Sequence, residues 1–172
     1  GTSFPVYISD RSQPNKNLGE LHNFLRNILY PKAKGFIAQT SQAAEIAKSK
    51  HWNKNICIIG NPVRTLNLPK TEKENIVLSV GRLIPTKNID KLIHLFSEIN
   101  NASWQMEIIG GNAKKMNLLE TYRKLVKDLD KSTQIKLLGE QKNIEKHLAK
   151  SKIFAFMSTS EGFPNALAEA MS

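Results

Sequence analysis

The stretch VLSVGRLIPTKN, at residues 77–88, joins a short apolar run to the start of a helical pattern. Gly81 follows the apolar run and permits a sharp turn. After the stretch, apolar residues fall on one stripe of a helix: Ile89, Leu92, Ile93, Phe96 and Ile99. A short apolar strand that turns directly into an amphipathic helix is typical of a parallel sheet covered by helices.

The same alternation of apolar runs and helical patterns extends along the whole chain. The runs are rich in Ile, Val and Phe, as strands buried on both faces should be. The predicted strands are 5–9, 35–39, 56–59, 76–80, 105–109, 135–138 and 153–157. The pattern predicts an α/β protein, and we expect its last four strands to share one parallel sheet. We also expect the single cysteine, Cys57, to be a buried thiol in a reducing cytoplasm.

The pattern is interrupted between the third and fourth predicted strands. Gly60-Asn61-Pro62 has the composition of a turn, and residues 64–75 show no clear period. We therefore interpret 61–75 as a linker between two doubly wound parallel-sheet units, 1–60 and 76–172. The first unit offers about three strands and the last helical pattern lacks a cap, so we expect a fragment of a chain roughly twice as long.

The chain carries 25 basic and 15 acidic residues, a net charge of +10. Such an excess could serve nucleic acid, an anionic membrane surface or a phosphorylated substrate. The lysines are scattered and no basic stretch is studded with aromatic residues, which argues against nucleic acid. No apolar run approaches the ~20 residues of a spanning helix, and the N-terminus lacks the layout of a signal peptide. We expect a cytoplasmic protein, with peripheral contact to the anionic inner face of the membrane compatible with its charge.

Ligands of a doubly wound sheet bind where strands end and helices begin, and two such junctions follow the strands 76–80 and 105–109. At the first, Arg82 and Lys87 flank the start of a helix, where a guanidinium and an ammonium could bind a diphosphate. The alternative is that both are solvated loop charges. At the second, Gly110 and Gly111 would let a ligand approach the backbone closely, although any tight turn could use the same pair.

The third junction follows the strand 153–157 and contains two carboxylates. Glu161 lies in the loop and Glu169 lies inside the next helix, with seven residues between them. A carboxylate can accept two hydrogen bonds from a vicinal diol, so one glutamate suits a sugar ring and the other a ribose. Free amides at 162–166 would then meet the phosphates. The alternative makes Glu161 a helix-entry acid and Glu169 an exposed helix residue, but apolar neighbours surround Glu169 in sequence and an unpaired acid there would be costly.

These residues also carry a family resemblance. The segment EGFPNALAEAM, at 161–171, resembles the Glu-x7-Glu signature of retaining glycosyltransferases with the two-domain GT-B fold, in the large "glycosyl transferases group 1" family. The loop from Gly81 to Lys87 and the Gly60-Asn61-Pro62-Val63 junction resemble that family in the same order. The segment ISDRSQP, at 8–14, is similar to a strand-end loop of some bacterial members. The resemblance covers nearly the whole chain.

The resemblance implies roles for individual residues. It makes 1–60 the end of an N-terminal, acceptor-side Rossmann-like domain and 76–172 the start of a C-terminal, nucleotide-sugar-binding one. Arg82 and Lys87 would bind the donor diphosphate, Glu161 the transferred sugar and Glu169 the ribose. The remaining donor-binding residues would be Gly81, Gly110, Gly162, Phe163, Pro164 and Asn165. Glu161, Arg82 and Lys87 would be catalytic.

The resemblance also implies a reaction. A hexosyl group would pass from a UDP-sugar or GDP-sugar to a glycan or lipid-linked acceptor, with retention of configuration, in surface polysaccharide or lipid-linked glycan synthesis. No metal or other cofactor is expected, and the sequence has no Asp-x-Asp and no His/Cys cluster at ligand spacing.

The sequence departs from the family pattern in three places. Asn88 stands where a glycine commonly follows the loop lysine, and Gly110-Gly111-Asn112 replaces a frequent Gly-x-Gly. The glycine-rich loop and histidine usual in the N-terminal domain are not in this sequence. We therefore do not expect this fragment to catalyse transfer by itself, and a nucleotide-sugar-binding module without activity is the alternative. A glycoside hydrolase using Glu161 and Glu169 as an acid/base pair is a further rival, but it gives Arg82 and Lys87 no role.

Overall fold

The computed structural model describes residues 4–11, 13 and 15–172. The segment 8–14, which carries part of the family resemblance, includes Ser12 and Pro14, which lie outside the described residues. The chain divides into two compact units: Gly1–Pro62 with Glu161–Asn165, and Val63–Ser160 with Ala166–Ser172.

The division differs from the predicted boundaries in two respects. Residues 63–75, predicted as part of a linker, group with the second unit because their side chains are anchored there. Leu66 packs against its core, and Lys73 Nζ donates to the carbonyls of Leu148 and Ser151 at 3.1 and 2.9 Å. Residues 161–165 group with the first unit, although the sequence pattern assigned them to the second.

The first unit is a three-stranded parallel sheet in the order β1-β2-β3. Its strands are β1 (Tyr7–Ser9), β2 (Gly35–Ala38) and β3 (Ile56–Ile58). Its helices are α1 (Glu20–Leu29), a short 3-10 turn (Tyr30–Lys32) and α2 (Ser41–Ser49). The hydroxyl of Thr40 accepts a hydrogen bond from Ala43 N and caps α2. Alanines on α2 and the aromatic rings of Phe36 and Trp52 form the core.

Helix α1 places its polar face against the rest of the first unit. Arg26 is the buried residue of this helix. The apolar residues of the helix are largely exposed, namely Leu21, Phe24, Leu25, Ile28 and Leu29. An amphipathic helix usually does the reverse.

The second unit is a four-stranded parallel sheet in the order β6-β5-β4-β7. Its strands are β4 (Glu74–Val80), β5 (Gln105–Ile109), β6 (Ile135–Gly139) and β7 (Ser151–Phe154). The helical segments are a 3-10 turn (Pro85–Lys87), α3 (Ile89–Ser97), α4 (Leu118–Asp128), α5 (Glu145–Lys150) and α6 (Asn165–Met171). All pairings are parallel, which confirms the predicted sheet.

Both faces of this sheet are covered. Neighbouring residues of a strand point to opposite faces, and Val77 and Leu78 accordingly belong to different core clusters. The first cluster includes buried residues of α3 and α4, and the second includes Leu148 of α5 with Ala170 of α6 packed against it. The prediction of helices on both faces of a parallel sheet is therefore confirmed.

The expectation of strands buried on both faces holds for the central strands of the two sheets. Strand β2 is buried except at the half-buried Ile37, β4 is buried over 76–79 and β5 over 106–109. Edge strand β7 exposes Ile153. Cys57, expected to be buried, is exposed. It lies on β3, the edge strand of the first sheet, which pairs with β2. The middle and last residues of this strand, Cys57 and Ile58, are exposed.

Candidate functional site

Strands β4, β5 and β7 are neighbours in the second sheet, and each is followed by one of the predicted junctions. Val80 is in register with Ile109, and Leu78 with Phe154. Because the strands are parallel, the loops that follow them leave the sheet at the same edge. This is the edge at which open α/β sheets bind their ligands.

The loop after β4 is fixed to the loop after β5 by backbone hydrogen bonds. Gly81 N donates to Ile109 O and Leu83 N donates to Gly111 O, both at 2.9 Å. Leu83 also forms an isolated parallel bridge with Asn112 and is completely buried. Arg82, between these two anchors, is exposed. The loop thus has a rigid backbone that presents an accessible guanidinium.

The side chain of Lys87 lies along the backbone of the same loop. A Cβ atom placed on Gly81 would lie 3.6 Å from Lys87 Cε and 4.0 Å from its Nζ. The ammonium lies 5.1 Å from the centre of the Phe156 ring, within cation–π range. Lys87 is therefore half-buried and held over the end of β4.

Asn88 ends the 3-10 turn in a left-handed conformation, with φ 50° and ψ 40°. Glycine adopts this conformation without strain, and asparagine is one of the few other residues that do so readily. Its Nδ2 also donates to the carbonyl of Met157 at 2.8 Å. The departure from the family's glycine therefore keeps the backbone conformation and adds a contact.

The loop after β7 begins beside the turn that carries Lys87. Thr159 N donates to Thr86 O at 2.9 Å, and Ser158 Oγ donates to the same carbonyl at 3.2 Å. This loop leads directly into Glu161. The second unit thus brings its three predicted junctions together as far as Ser160.

Close packing against a neighbouring backbone explains why two of the predicted donor-binding residues are glycines. A Cβ atom on Gly110 would collide with the carbonyl of Gly81, and one on Gly162 would collide with the carbonyl of Arg11. Glycine is required at both positions because another backbone comes too close for any side chain. Their direct contact with a donor stays a prediction.

Asn165, predicted to bind the donor, belongs to an amide network of the first unit. Its Oδ1 accepts from Asn61 Nδ2 at 3.0 Å. Asn61 Oδ1 in turn accepts from Arg11 Nη2 at 3.0 Å and from Gln39 Nε2. In the sequence, Asn61 stands out only as part of the turn and of the Gly60-Asn61-Pro62-Val63 junction. Its separation of 104 positions from Asn165 gives no spacing signal.

Both signature glutamates are half-buried, and so are Phe163 and Pro164. Glu169 is the fifth residue of α6, a helix of 7 residues. The convergence of Glu161 with Arg82 and Lys87 stays a prediction. Within the described part of the chain, no group of three or more His, Cys, Asp or Glu side chains could hold a metal ion.

A buried charge cluster on β5 was not predicted. Glu107, 4% exposed, accepts from Lys150 Nζ at 2.7 Å and contacts His147 Nδ1 at 2.6 Å. Burial by itself would raise the pKa of Glu107, but the hydrogen bonds from Lys150 and His147 outweigh burial and lower that pKa. The cluster fixes α5 to the sheet and has no evident part in ligand binding.

No helix among the described residues is both long and apolar enough to cross a membrane.

The parallel α/β units and the loops at their strand ends define a chain of the GT-B fold class. The chain belongs to the family described as "Glycosyl transferases group 1", which matches residues 66–172. The family and fold that the motifs implied are thereby confirmed.

Curated relatives of this chain act in glycan assembly. A Campylobacter jejuni enzyme named N-acetylgalactosamine-N,N'-diacetylbacillosaminyl-diphospho-undecaprenol 4-alpha-N-acetylgalactosaminyltransferase is 32% identical over 166 residues, covering 88% of this chain and 42% of that enzyme. The amylovoran biosynthesis glycosyltransferase AmsD of Erwinia amylovora is 29% identical over 154 residues, covering 85% of this chain and 43% of AmsD. The chain thus spans less than half the length of these relatives.

Solved structures share the fold. S. aureus TarM, in complex with fondaparinux, alpha-GlcNAc-glycerol and UDP, superposes with a TM-score of 0.80 at 24% identity, covering 96% of this chain and 34% of that one. Anabaena HepE in complex with UDP gives a TM-score of 0.79 at 19% identity, covering 97% of this chain and 50% of that one.

Proposed function

We propose that this chain carries the donor-binding part of a retaining glycosyltransferase that uses a nucleoside-diphosphate sugar. The observation that supports this best is the rigid loop after β4, in which the Lys87 ammonium is held over Gly81 and Arg82 is exposed. A guanidinium binds two phosphate oxygens at once and an ammonium adds a point charge. Two cations on one ordered loop at the ligand-binding edge of the sheet suit a diphosphate.

The same two cations would assist the chemistry. In transfer, the bond between the anomeric carbon and the diphosphate oxygen breaks, and the acceptor oxygen forms the new bond on the same face of the ring. The proton of the acceptor hydroxyl passes to the departing diphosphate. Negative charge grows on the departing nucleoside diphosphate. Arg82 and Lys87 would stabilise that charge more strongly in the transition state than in the ground state. No metal ion is needed for this role.

The signature glutamates would bind the two sugars of the donor. Glu161 would accept hydrogen bonds from hydroxyls of the transferred hexosyl group, and Glu169 from the ribose. The loop 162–165 would surround the sugar and phosphates. UDP is the first nucleotide to test, since the solved structures of TarM and HepE contain it, and GDP is the second.

The acceptor we propose is a lipid-linked or polysaccharide glycan. The names of the relatives refer to an undecaprenol diphosphate-linked glycan and to amylovoran. Such an enzyme would work in the cytoplasm at the anionic inner membrane face, which the net charge of +10 favours. A chain that binds nucleotide sugar without transferring it is the second candidate, because this chain spans less than half the length of the curated relatives that it matches.

Calorimetry with UDP and GDP tests donor binding on this chain. We expect saturable binding of one nucleotide, and a loss of about ten- to a hundredfold in affinity for Arg82→Gln and for Lys87→Gln. Lys124→Gln, an exposed lysine of α4, is the matched control. Binding that is unaffected by the two loop variants would contradict the proposed site. Release of the nucleoside diphosphate by the full-length parent protein, with candidate acceptors, separates transfer from binding.

A further inference from the structure

The first unit contains a cavity that the proposed donor site does not use. It has a volume of about 540 Å³ and lies between the polar face of α1 and the end of α2. Four basic side chains contribute to its lining: Lys16 from the loop before α1, Arg26 from α1, and Lys50 and His51 from the end of α2. None of the described residues that line it is acidic. The cavity is therefore cationic.

Two of the four asparagines that line the cavity, Asn17 and Asn27, have their side-chain oxygens engaged within the protein. Asn17 Oδ1 accepts from Gly19 N at 2.9 Å and from Asn23 Nδ2 at 2.8 Å. Asn27 Oδ1 accepts from the indole Nε1 of Trp52 at 3.2 Å. What these amides offer a ligand is chiefly their NH₂ groups, which donate. Ammonium and amide donors without carboxylates suit a ligand made of acceptor oxygens.

Two cations of the cavity are positioned by the ring of Trp52. The Arg26 guanidinium lies 4.8 Å from the ring centre and is ion-paired with Asp10 at 3.1 Å, with both side chains buried. Lys50 Nζ lies 5.3 Å from the same ring. Because Asp10 neutralises Arg26, the net positive charge offered to a ligand comes from Lys16 and Lys50.

His51 occupies a backbone position that favours glycine. It follows α2 with φ 53°, and Trp52 N donates to Ala47 O at 3.0 Å, which closes the helix in the manner usually served by glycine. An imidazole at this position is strained where glycine would not be. Favourable interaction with the end of the helix dipole explains basic residues on α2, but it does not explain Lys16, which comes from another segment.

We propose that this cavity binds a phosphoryl group, separately from the donor loops of the second unit. The shared chemistry is a phosphate or diphosphate, supplied either by a small phosphorylated compound or by an anionic phospholipid headgroup. The two lysines would balance its charge, and a ring N–H of His51 and the asparagine NH₂ groups would donate to its oxygens.

Trp52 provides a direct probe, because the chain has two tryptophans and only Trp52 lines the cavity. In a ¹H–¹⁵N spectrum of the full chain, with the indole signals assigned through Trp104→Phe, we expect pyrophosphate to shift the Trp52 signal saturably and to leave the Trp104 signal unmoved. Lys16→Gln and Lys50→Gln should each weaken the response at least fivefold. Lys48→Gln is the control, since Lys48 is on the same helix but is exposed and paired with Glu45.

His51→Gly separates ligand binding from folding. We expect its melting temperature to be no lower than that of the parent chain, because glycine fits the left-handed position, while its affinity for pyrophosphate falls. A Trp52 signal that pyrophosphate does not move, or one that responds equally in the two lysine variants, would overturn the proposal.

Vesicles identify the source of the phosphoryl group. Phosphatidylglycerol vesicles that compete with pyrophosphate at Trp52, when phosphatidylcholine vesicles do not, would support a headgroup. Pyrophosphate binding without competition would support a small phosphorylated ligand. The Lys87→Gln variant should keep the Trp52 response while it loses affinity for UDP, so the fate of this proposal is independent of the donor site.

Discussion

The side-chain amide of Asn88 donates from Nδ2 to the carbonyl of Met157 at 2.8 Å, and so joins the loop after β4 to the segment after β7. The first of these carries Arg82 and Lys87, and the second leads into Glu161. Asn88 therefore does two things: it adopts a left-handed backbone conformation, and it forms a contact between two loops. Two substitutions can separate these contributions.

For Asn88→Gly we expect a loss of about 0.5–1.5 kcal/mol in the free energy of unfolding, since one hydrogen bond is removed and the backbone conformation is kept. Asn88→Ala should lose about 1 kcal/mol more, because alanine is strained in the left-handed region. Urea unfolding of the two variants measures the difference. Equal stability of the two would show that the left-handed conformation contributes nothing at this position.

The close approach of Gly110 to Gly81 predicts a contrast between two alanine variants. Gly110→Ala places a methyl group against the Gly81 carbonyl, so we expect a loss of about 1–3 kcal/mol in stability as the loop is displaced. Gly81→Ala meets the flexible Lys87 side chain at ordinary contact distance. It should keep the fold, and it should weaken nucleotide binding because a methyl group would stand where the donor is expected to approach the Gly81 backbone.

Thermal unfolding and UDP calorimetry on both variants check this. A stable Gly110→Ala variant would refute the packing explanation. Unchanged UDP affinity in Gly81→Ala would show that the donor does not approach the Gly81 backbone.

The Glu107 cluster predicts how stability depends on pH. The ordinary carboxyl pKa is 4.5 and the folded pKa of Glu107 lies below it, so its contribution is complete above pH 4.5 and is lost as the pH falls through the lowered value. Glu107→Gln should cost about 1–3 kcal/mol at pH 7, with Lys150 and His147 partly exposed and able to be resolvated. The difference in the free energy of unfolding between the parent chain and Glu107→Gln should become smaller in acid.

Urea unfolding at pH 7 and pH 3 measures this difference. Glu120→Gln is the control, since Glu120 forms an exposed pair with Arg123 and should cost at most about 1 kcal/mol at either pH. If Glu107→Gln lowered the free energy of unfolding equally at both pH values, the carboxylate charge could not be the cause of the loss.

The regular elements could be predicted from sequence because each strand is a short apolar run between turn residues. The strand ends could not, since backbone pairing sets them. Strand β4 begins at the polar Glu74, and β7 begins at Ser151 and ends at Phe154, before the apolar run does. Exposure of Cys57 depends on β3 lying at a sheet edge, and strand order is not visible in a local pattern.

The candidate site could be predicted in part. Arg82, Lys87 and Glu161 lie in segments that follow strands. The α/β topology places such segments at one edge of the sheet, so their position could be predicted. The sequence could not show why glycine is required at positions 110 and 162, because each requirement comes from the close approach of a distant backbone segment. The Glu107 cluster joins residues 40 and 43 positions apart, and no spacing rule links a strand carboxylate to a later helix.

The final prediction separates the two glutamates of the signature. If Glu161 contacts only the transferred sugar, Glu161→Ala should leave the affinity for free UDP unchanged and should lower turnover in the full-length parent. If Glu169 binds the ribose, Glu169→Ala should weaken free UDP by about ten- to a hundredfold, which corresponds to the roughly 1.5–3 kcal/mol of a charged hydrogen bond.

Calorimetry with free UDP on this chain is the measurement, and Glu145→Ala would be a poor control because Glu145 is ion-paired with Arg64. Glu120→Ala on the exposed face of α4 is the better one, since its carboxylate pairs at the surface with its helix neighbour Arg123. Both signature variants must first keep the melting temperature of the parent, because each glutamate is half-buried. If Glu161→Ala abolished UDP binding while Glu169→Ala left it intact, the two roles would be reversed, and the ribose would lie beside the loop that follows β7.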